Sequence, residues 1–274
     1  MKGKLSGAMA LCGICLLAPA AGAAPDFAAQ TDVLRITTAE SLPKNPASGP
    51  AGCGGLAEPP ATAAAARVTA AGWTVSAEVT RAGLTFVSFL GSATPGTSGT
   101  CEIQDGNIGI FEGETLQALI YAPKGSARSI GSLAAQEGNL IRIYDGDLIS
   151  QPLADLQIPA ENLVLLQNVA PRDTLCKGAV SVPVLYGLPA HLARRILLAE
   201  SWQPAPLSEV STDGTARDLQ ADYPEVVDCS GTGLGYCSWE YQRAGGFGLS
   251  LTTAGEAAEG SSPMVVGQAT RCPG

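Results

Sequence analysis

The sequence has few aromatic residues, few charged residues and only one histidine. Of its 274 residues, 5% are aromatic and 15% are charged, and 25 acidic residues outnumber 16 basic ones, which gives a net charge of −9. This acidity argues against nucleic acid as a main partner, because nucleic acids bind to basic surfaces. The one histidine, His191, would have to serve any Ser-His-Asp triad, and no Gly-x-Ser-x-Gly motif occurs.

Long apolar runs are also missing, except at the N-terminus. Met1-Lys2-Gly3-Lys4 is basic, residues 5–20 are uncharged, and residues 21–23 are small enough for a signal peptidase. This order of segments predicts a secretory signal peptide over residues 1–23, cleaved after Ala23. No later run reaches the roughly 18 apolar residues that a spanning helix needs. We therefore expect a mature chain without a transmembrane segment, located in the periplasm or outside the cell.

Closely spaced cysteines are absent from the predicted mature chain, although the whole chain contains eight cysteines. Two of them, Cys12 and Cys15, lie in the predicted signal peptide and would leave with it. No Cys-x-x-Cys pair occurs among the six that remain, and zinc sites need closely spaced ligands, so we predict no metal site. An even set of cysteines in an exported chain instead predicts disulfides. We expect Cys53 to pair with Cys101, and the pairing of the other four stays open: Cys176, Cys229, Cys237 and Cys272.

Periodicity and turn residues predict a β-rich α+β fold with disulfide-stabilised antiparallel sheets. The clearest amphipathic helix lies near residues 189–200, and its apolar face is expected to carry Leu188, Leu192, Ile196 and Ala199. Residues 61–71 are rich in alanine and can also form a helix. Strands are expected near residues 33–36, 73–79, 84–90, 107–111, 116–121, 140–144, 162–169, 236–241, 248–253 and 264–270.

Changes in composition divide the chain after the signal peptide into three parts. Residues 24–52 contain several prolines and little apolar periodicity, which is typical of an N-terminal arm or linker. Residues 53–170 are predicted to form a β-rich domain. Residues 171–274 combine the helix, a loop and three strands, and we expect them to form a small disulfide-tied α+β module.

The segment Asp228-Cys229-Ser230-Gly231 resembles the nucleophile motif of NlpC/P60-like cell-wall peptidases. In that family the cysteine is activated by a histidine that follows it, whereas His191 precedes Cys229 here. The residues after the motif are rich in glycine and do not continue as an apolar helix. The resemblance implies a hydrolase with Cys229 as nucleophile and His191 as base. The competing interpretation makes Cys229 half of a structural disulfide.

Paired carboxylates are the remaining candidates for chemistry, because glycosidases use two of them across a cleft. Neighbouring pairs of acidic residues occur at Glu112 and Glu114, at Asp145 and Asp147, and at Glu256 and Glu259. The Asp145 pair flanks Gly146 and is better explained as the turn of a hairpin whose strands are expected at residues 140–144 and 147–150. A calcium site is the alternative there, but the multi-residue ligand loop of such sites is missing.

No activated nucleophile or acid–base constellation can be assembled from these residues. We therefore interpret the sequence as an exported, non-catalytic binding or interaction protein whose partner is an unknown protein or an envelope glycan. General secretion carries chains unfolded, so we expect no cofactor. The alternative is a cell-envelope hydrolase that uses Cys229 and His191 or a carboxylate pair. The sequence does not identify the binding residues. An exposed patch of Trp202, Tyr236, Trp239 and Tyr241 would support a binding function, but with so few aromatic residues we expect these four to lie in the core.

Overall fold

A computed structural model describes residues 25–46, 53–96, 101–146, 149–160, 162–206, 214–230, 233–255 and 262–274. Strands account for 50% of the structure and helices for 12%. Several antiparallel sheets, three disulfides and short helices confirm the predicted β-rich α+β fold. The predicted signal peptide lies outside the described residues.

Five strands form sheet 1, and four of them are consecutive antiparallel neighbours. In spatial order they are β1 (Asp26–Gln30), β12 (Leu163–Gln167), β11 (Pro152–Ala160), β10 (Leu140–Asp145) and β9 (Ile130–Ala135). The first strand differs, because β1 runs parallel to β12. β10 and β11 form a hairpin, but its second strand begins at Pro152 and not at residue 147 as the sequence predicted; residues 146–151 connect the two strands, and residues 147 and 148 are not described.

Sheet 2 is entirely antiparallel, and its strands are close to those predicted. In spatial order they are β2 (Arg35–Thr38), β8 (Thr115–Tyr121), β7 (Asn107–Glu112), β4 (Leu84–Leu90) and β3 (Thr74–Arg81). A small hairpin of β5 (Ser92–Pro95) and β6 (Cys101–Gln104) follows β4. The helix α1 (Ala63–Ala70) begins after Thr62, whose Oγ1 accepts a hydrogen bond from the Ala65 amide at 3.2 Å.

Sheets 1 and 2 pack face to face and enclose one hydrophobic core. Every residue of β4 is buried, because β4 has the core on one face and α1 on the other. Phe86 belongs to the core between the sheets, whereas Phe89 packs on the α1 side. A strand covered on both faces becomes a continuous apolar run rather than an alternating one.

The segment expected to be an arm contributes to both sheets. β1 and β2 lie beside each other at the edges of sheets 1 and 2. Between them, Leu34 is completely buried in the core. The described residues of this segment are therefore integrated into the sandwich.

The C-terminal part is built around sheet 3 and a second hydrophobic core. It contains the hairpin β13 (Arg172–Leu175) and β14 (Val180–Pro183), and the helices α2 (Ala190–Ala199) and α3 (Gly214–Gln220). Sheet 3 holds β15 (Gln203–Pro204), β16 (Val226–Cys229), β17 (Cys237–Arg243), β18 (Phe247–Ala254) and β19 (Met264–Arg271). The sequence predicted a loop where α3 lies.

Helix α2 is where the sequence predicted it, but the predicted buried face was wrong. Its buried residues are Ala190, Ala193 and Leu197, whereas Leu192 and Ile196 are 37% and 36% exposed. The start of the helix is held by backbone hydrogen bonds between residues 187–190 and 263–265, for example from the Ala190 amide to the Pro263 carbonyl oxygen at 2.8 Å. Ala190 faces the core in this arrangement, and the helical repeat places the residues three and seven positions later on the same face.

The six cysteines of the predicted mature chain form three disulfides. Cys53 is bonded to Cys101, which is the pair that the sequence favoured. Cys176 is bonded to Cys272 and ties the turn of the β13–β14 hairpin to the last strand. Cys229 is bonded to Cys237 directly across the β16–β17 pair, with 4.0 Å between their Cα atoms.

Candidate functional site

Cys229 and His191, the nucleophile and the base that the resemblance to peptidases implies, are not placed for these roles. The sulfur of Cys229 is bonded to that of Cys237, so no thiol is available at this position. His191 is exposed on α2 and lies in its first turn. Cys229 is 6% exposed and packs in the C-terminal core. The structure thus favours the structural interpretation of this cysteine.

Among the described residues, the carboxylate pairs named in the sequence analysis do not form a reactive site either. Glu112 and Glu114 are exposed at the turn between β7 and β8. Asp145 is buried, and both of its oxygens are occupied: Arg128 donates to Oδ2 and the Gln151 amide to Oδ1, each at 2.8 Å. Asp147, Glu256 and Glu259 lie outside the described residues.

An open groove of about 950 Å³ lies at one end of the sandwich, where β8 leads toward β9. Three segments far apart in the sequence form it: residues 43–46, 102–107 and 121–129, with residues 145–146 at its base. Asn107 and Tyr121 are cross-strand neighbours at the ends of β7 and β8. The sheet register therefore brings the loops together, and the groove is a product of strand pairing.

Two glycines let the segments at the base of the groove approach each other closely. A Cβ atom on Gly106 would lie 1.7 Å from the Ile130 carbonyl oxygen, and one on Gly146 would lie 2.4 Å from Cβ of Ile103. The amides of both glycines are bonded to Ser129, Gly106 to its Oγ and Gly146 to its carbonyl oxygen, each at 3.0 Å. Glycine is required here because any side chain would collide with its neighbours.

One wall of the groove is a loop held by its own hydrogen bonds. The Ser126 amide donates to the Pro123 carbonyl oxygen at 3.0 Å, and Ser126 Oγ donates to the Arg128 carbonyl oxygen at the same distance. The Arg128 guanidinium is anchored to the buried carboxylate of Asp145. These bonds fix the wall in place before any ligand arrives.

Aromatic and proline rings form the apolar part of the lining. Tyr121 is 37% exposed, and it is the one large exposed hydrophobic residue of the described chain that lines the groove. Trp73 is almost buried, and its indole Nε1–H donates to the Pro43 carbonyl oxygen at 3.0 Å. Trp73 also packs edge-to-face on Phe89, with 4.9 Å between the ring centres. The groove thus has one accessible ring on a rigid base.

Four charged side chains of the lining remain available to a ligand. Lys44, Glu102, Asp105 and Lys124 are exposed, and none of them forms a salt bridge with another residue that the structure describes. Two positive and two negative groups give the lining no strong preference for charge. The arrangement is suited to holding a polar, largely uncharged chain.

Of the four aromatic residues that could have formed an exposed patch, Tyr236 is half-buried and the other three belong to the interior. Trp202 and Tyr241 are completely buried, and Trp239 is 2% exposed. All three pack in the C-terminal core. The sequence analysis did not identify the loops of the groove, because no pattern of neighbouring residues indicates that residues 43–46, 102–107 and 121–129 meet.

Comparison with protein-family models, curated proteins and solved structures gave no match to this chain. Among the described residues, no helix is long and apolar enough to cross a membrane. The described residues also contain no group of three or more His, Cys, Asp or Glu side chains that could hold a metal ion. The three disulfides are compatible with export to an oxidising compartment.

Proposed function

We propose that this protein is an exported, non-catalytic binding protein that holds a segment of envelope glycan in the groove beside Tyr121. The observation that carries the proposal is the preformed groove itself, in which one exposed aromatic ring lies among amide and carboxylate groups. Sugar rings present apolar C–H faces that pack on aromatic rings, and their hydroxyl groups bind to amides and carboxylates.

A protein partner is less well suited to this groove than a glycan. The centre of a protein interface is usually apolar and rich in several aromatic side chains. Here Tyr121 stands alone, and the remaining lining consists of short polar loops such as residues 124–129. Asp145, the buried carboxylate of the groove, does not favour a hydrolase, because both of its oxygens are engaged.

The test is a titration of the purified, oxidised protein with soluble glycan strands released from peptidoglycan. Trp73 lines the groove, so we expect tryptophan fluorescence to change as the strands bind. The variant Tyr121→Ala should weaken binding by about tenfold or more, which corresponds to about 1.4 kcal/mol or more. The matched control is Leu192→Ala, since Leu192 is equally exposed but lies on α2.

Two results would overturn the proposal. One is the absence of glycan binding, and the other is equal affinity of the wild type and the Tyr121→Ala variant. The size of the recovered glycan strands must also be measured after incubation. Shortened strands would indicate that the protein is a hydrolase and not a binding protein.

A further inference from the structure

A smaller pocket lies where sheet 1 meets sheet 3, and it shares no lining residue with the groove. Its volume is about 210 Å³. The buried Arg142 and the half-buried Asp173 form its base, and exposed residues at its mouth include Glu137 and Cys272. We call this cavity the junction pocket.

Negative charge exceeds positive charge around the junction pocket. Arg142 is 1% exposed, and its guanidinium donates to both carboxylates of Asp155 and Asp173 at 2.8–3.0 Å. Glu137 adds a third carboxylate, of which only Oε2 is bonded to a backbone amide, that of Lys177 at 2.8 Å. Among the residues that line the pocket, Glu137 and Asp173 are acidic and Arg142 is basic, whereas Arg81 and Lys177 lie outside the lining.

Hydroxyl groups complete the lining of the junction pocket. Tyr144 and Tyr186 both line it, and Tyr186 Oη accepts a hydrogen bond from the Gln268 amide at 3.3 Å. Burial raises the pKa of Tyr144 to about 12, so its ring stays neutral at physiological pH. Thr270 Oγ1 is buried and has no hydrogen-bond partner among the described residues. A buried hydroxyl without a partner indicates room for a ligand or water that would satisfy it.

The size and charge of the junction pocket define the class of ligand that fits. A water molecule takes about 30 Å³, so 210 Å³ corresponds to about seven waters or a comparable number of heavy atoms. An anion would meet the excess of carboxylates and is disfavoured. A small cation gains from the carboxylates and from the negative faces of the tyrosine rings.

We propose that the junction pocket binds a small organic ammonium ion between Tyr144, Tyr186 and the free oxygen of Glu137. The ammonium group lies against the tyrosine rings and the carboxylate, and a hydroxyl on the ligand bonds to Thr270 Oγ1. Choline is the simplest probe of this class, because it has one permanent positive charge, one hydroxyl and a suitable size.

The test is isothermal titration calorimetry of the full oxidised protein with choline and with 3,3-dimethylbutan-1-ol, its neutral carbon analogue. We expect choline to bind at one site and the neutral analogue to bind at least about tenfold more weakly. The variant Glu137→Gln, at the exposed mouth, should weaken choline binding several-fold. Its matched control is Glu114→Gln, which removes the same charge from the exposed turn between β7 and β8, outside the lining of the junction pocket.

Three outcomes would overturn this proposal: no binding of choline, equal binding of choline and the neutral analogue, or equal effects of Glu137→Gln and Glu114→Gln. The Tyr121→Ala variant separates the two sites, because it should leave choline binding unchanged while it weakens glycan binding. Choline should likewise not displace glycan strands. Failure of one proposal therefore does not imply failure of the other.

Discussion

Nη2 of Arg142 lies 2.8 Å from Oδ1 of Asp173, and this salt bridge joins β10 of sheet 1 to β13 of the C-terminal part. Burial would lower the pKa of Arg142, but hydrogen bonds to Asp155 and Asp173 raise it above its usual range. The guanidinium therefore stays charged in the interior. A buried charge of this kind is tolerated only while its partners remain ionised and in place.

Loss of one partner of Arg142 should strongly destabilise the protein. Asp155 is completely buried, so Asp155→Asn leaves an imperfectly compensated charge in the core. We expect the free energy of unfolding, measured with urea, to fall by about 3–5 kcal/mol. The control Asp32→Asn removes a carboxylate whose side chain is fully exposed, and it should cause no measurable change. Equal losses of stability in both variants would contradict the conclusion that Asp155 compensates the buried charge of Arg142.

The orientation of α2 predicts different results at two leucines of the same helix. Leu197→Ala should lower the free energy of unfolding by about 2–5 kcal/mol, because it opens a cavity in the C-terminal core. Leu192→Ala should change it by no more than about 0.5 kcal/mol, because Leu192 is on the exposed face. Chemical denaturation of both variants checks this. A larger loss of stability in Leu192→Ala than in Leu197→Ala would indicate that the face predicted from the sequence is the buried one.

The salt bridge between Arg172 and Glu200 predicts a pH-dependent contribution to stability. A hydrogen bond from Arg172 lowers the pKa of Glu200. An acid with a lowered pKa in the folded state stabilises that state above its unfolded-state pKa, and the contribution disappears as pH falls through the folded-state pKa. Glu200→Gln should thus be less stable than the wild type at pH 7, by less than about 1 kcal/mol because the pair is solvent-exposed.

Thermal unfolding of both proteins between pH 7 and pH 3 measures this contribution. The difference in melting temperature should shrink as the solution becomes more acidic. The same titration at high salt should reduce the difference at pH 7, since salt screens exposed pairs. A difference that grows toward low pH would contradict the assignment.

Gly106 should be essential to the groove. The variant Gly106→Ala places a methyl group against the Ile130 carbonyl oxygen, and overpacking of this kind costs about 1–3 kcal/mol or more. We expect a lower melting temperature and weaker glycan binding, because the base of the groove must shift. Gly55→Ala is the control, since an added Cβ atom at Gly55 meets no atom within 4 Å. Wild-type stability and binding in Gly106→Ala would contradict the close approach.

Titration of free thiols under denaturing conditions tests the state of Cys229. The oxidised protein without its predicted signal peptide should contain no free thiol, because all six of its cysteines are paired. Peptide mapping should then recover Cys229 linked to Cys237. A free thiol at Cys229 would revive the hydrolase interpretation, and hydrolysis of glycan strands or cell-wall peptides would be the next measurement.

Local sequence was sufficient to locate most of the elements. The run of β-branched and aromatic residues in β4 and the alternation in β3 predicted strands, and the apolar repeat predicted α2. The short helix α3 was missed because it lies in a segment dominated by turn residues. The buried face of α2 was missed because alanines and leucines share the same helical repeat. Tertiary contacts, among them the backbone hydrogen bonds between residues 187–190 and 263–265, decide which set faces the core.

The sequence by itself determined the β-rich class, the positions of most strands and the even set of cysteines, because these depend on neighbouring residues. Tertiary structure alone decided that Cys176 pairs with Cys272, that residues 43–46 meet residues 121–129, and that Arg142 lies between Asp155 and Asp173. The physical reason is that these contacts depend on strand order and register. Both are set by the packing of whole sheets, and short-range patterns do not report them.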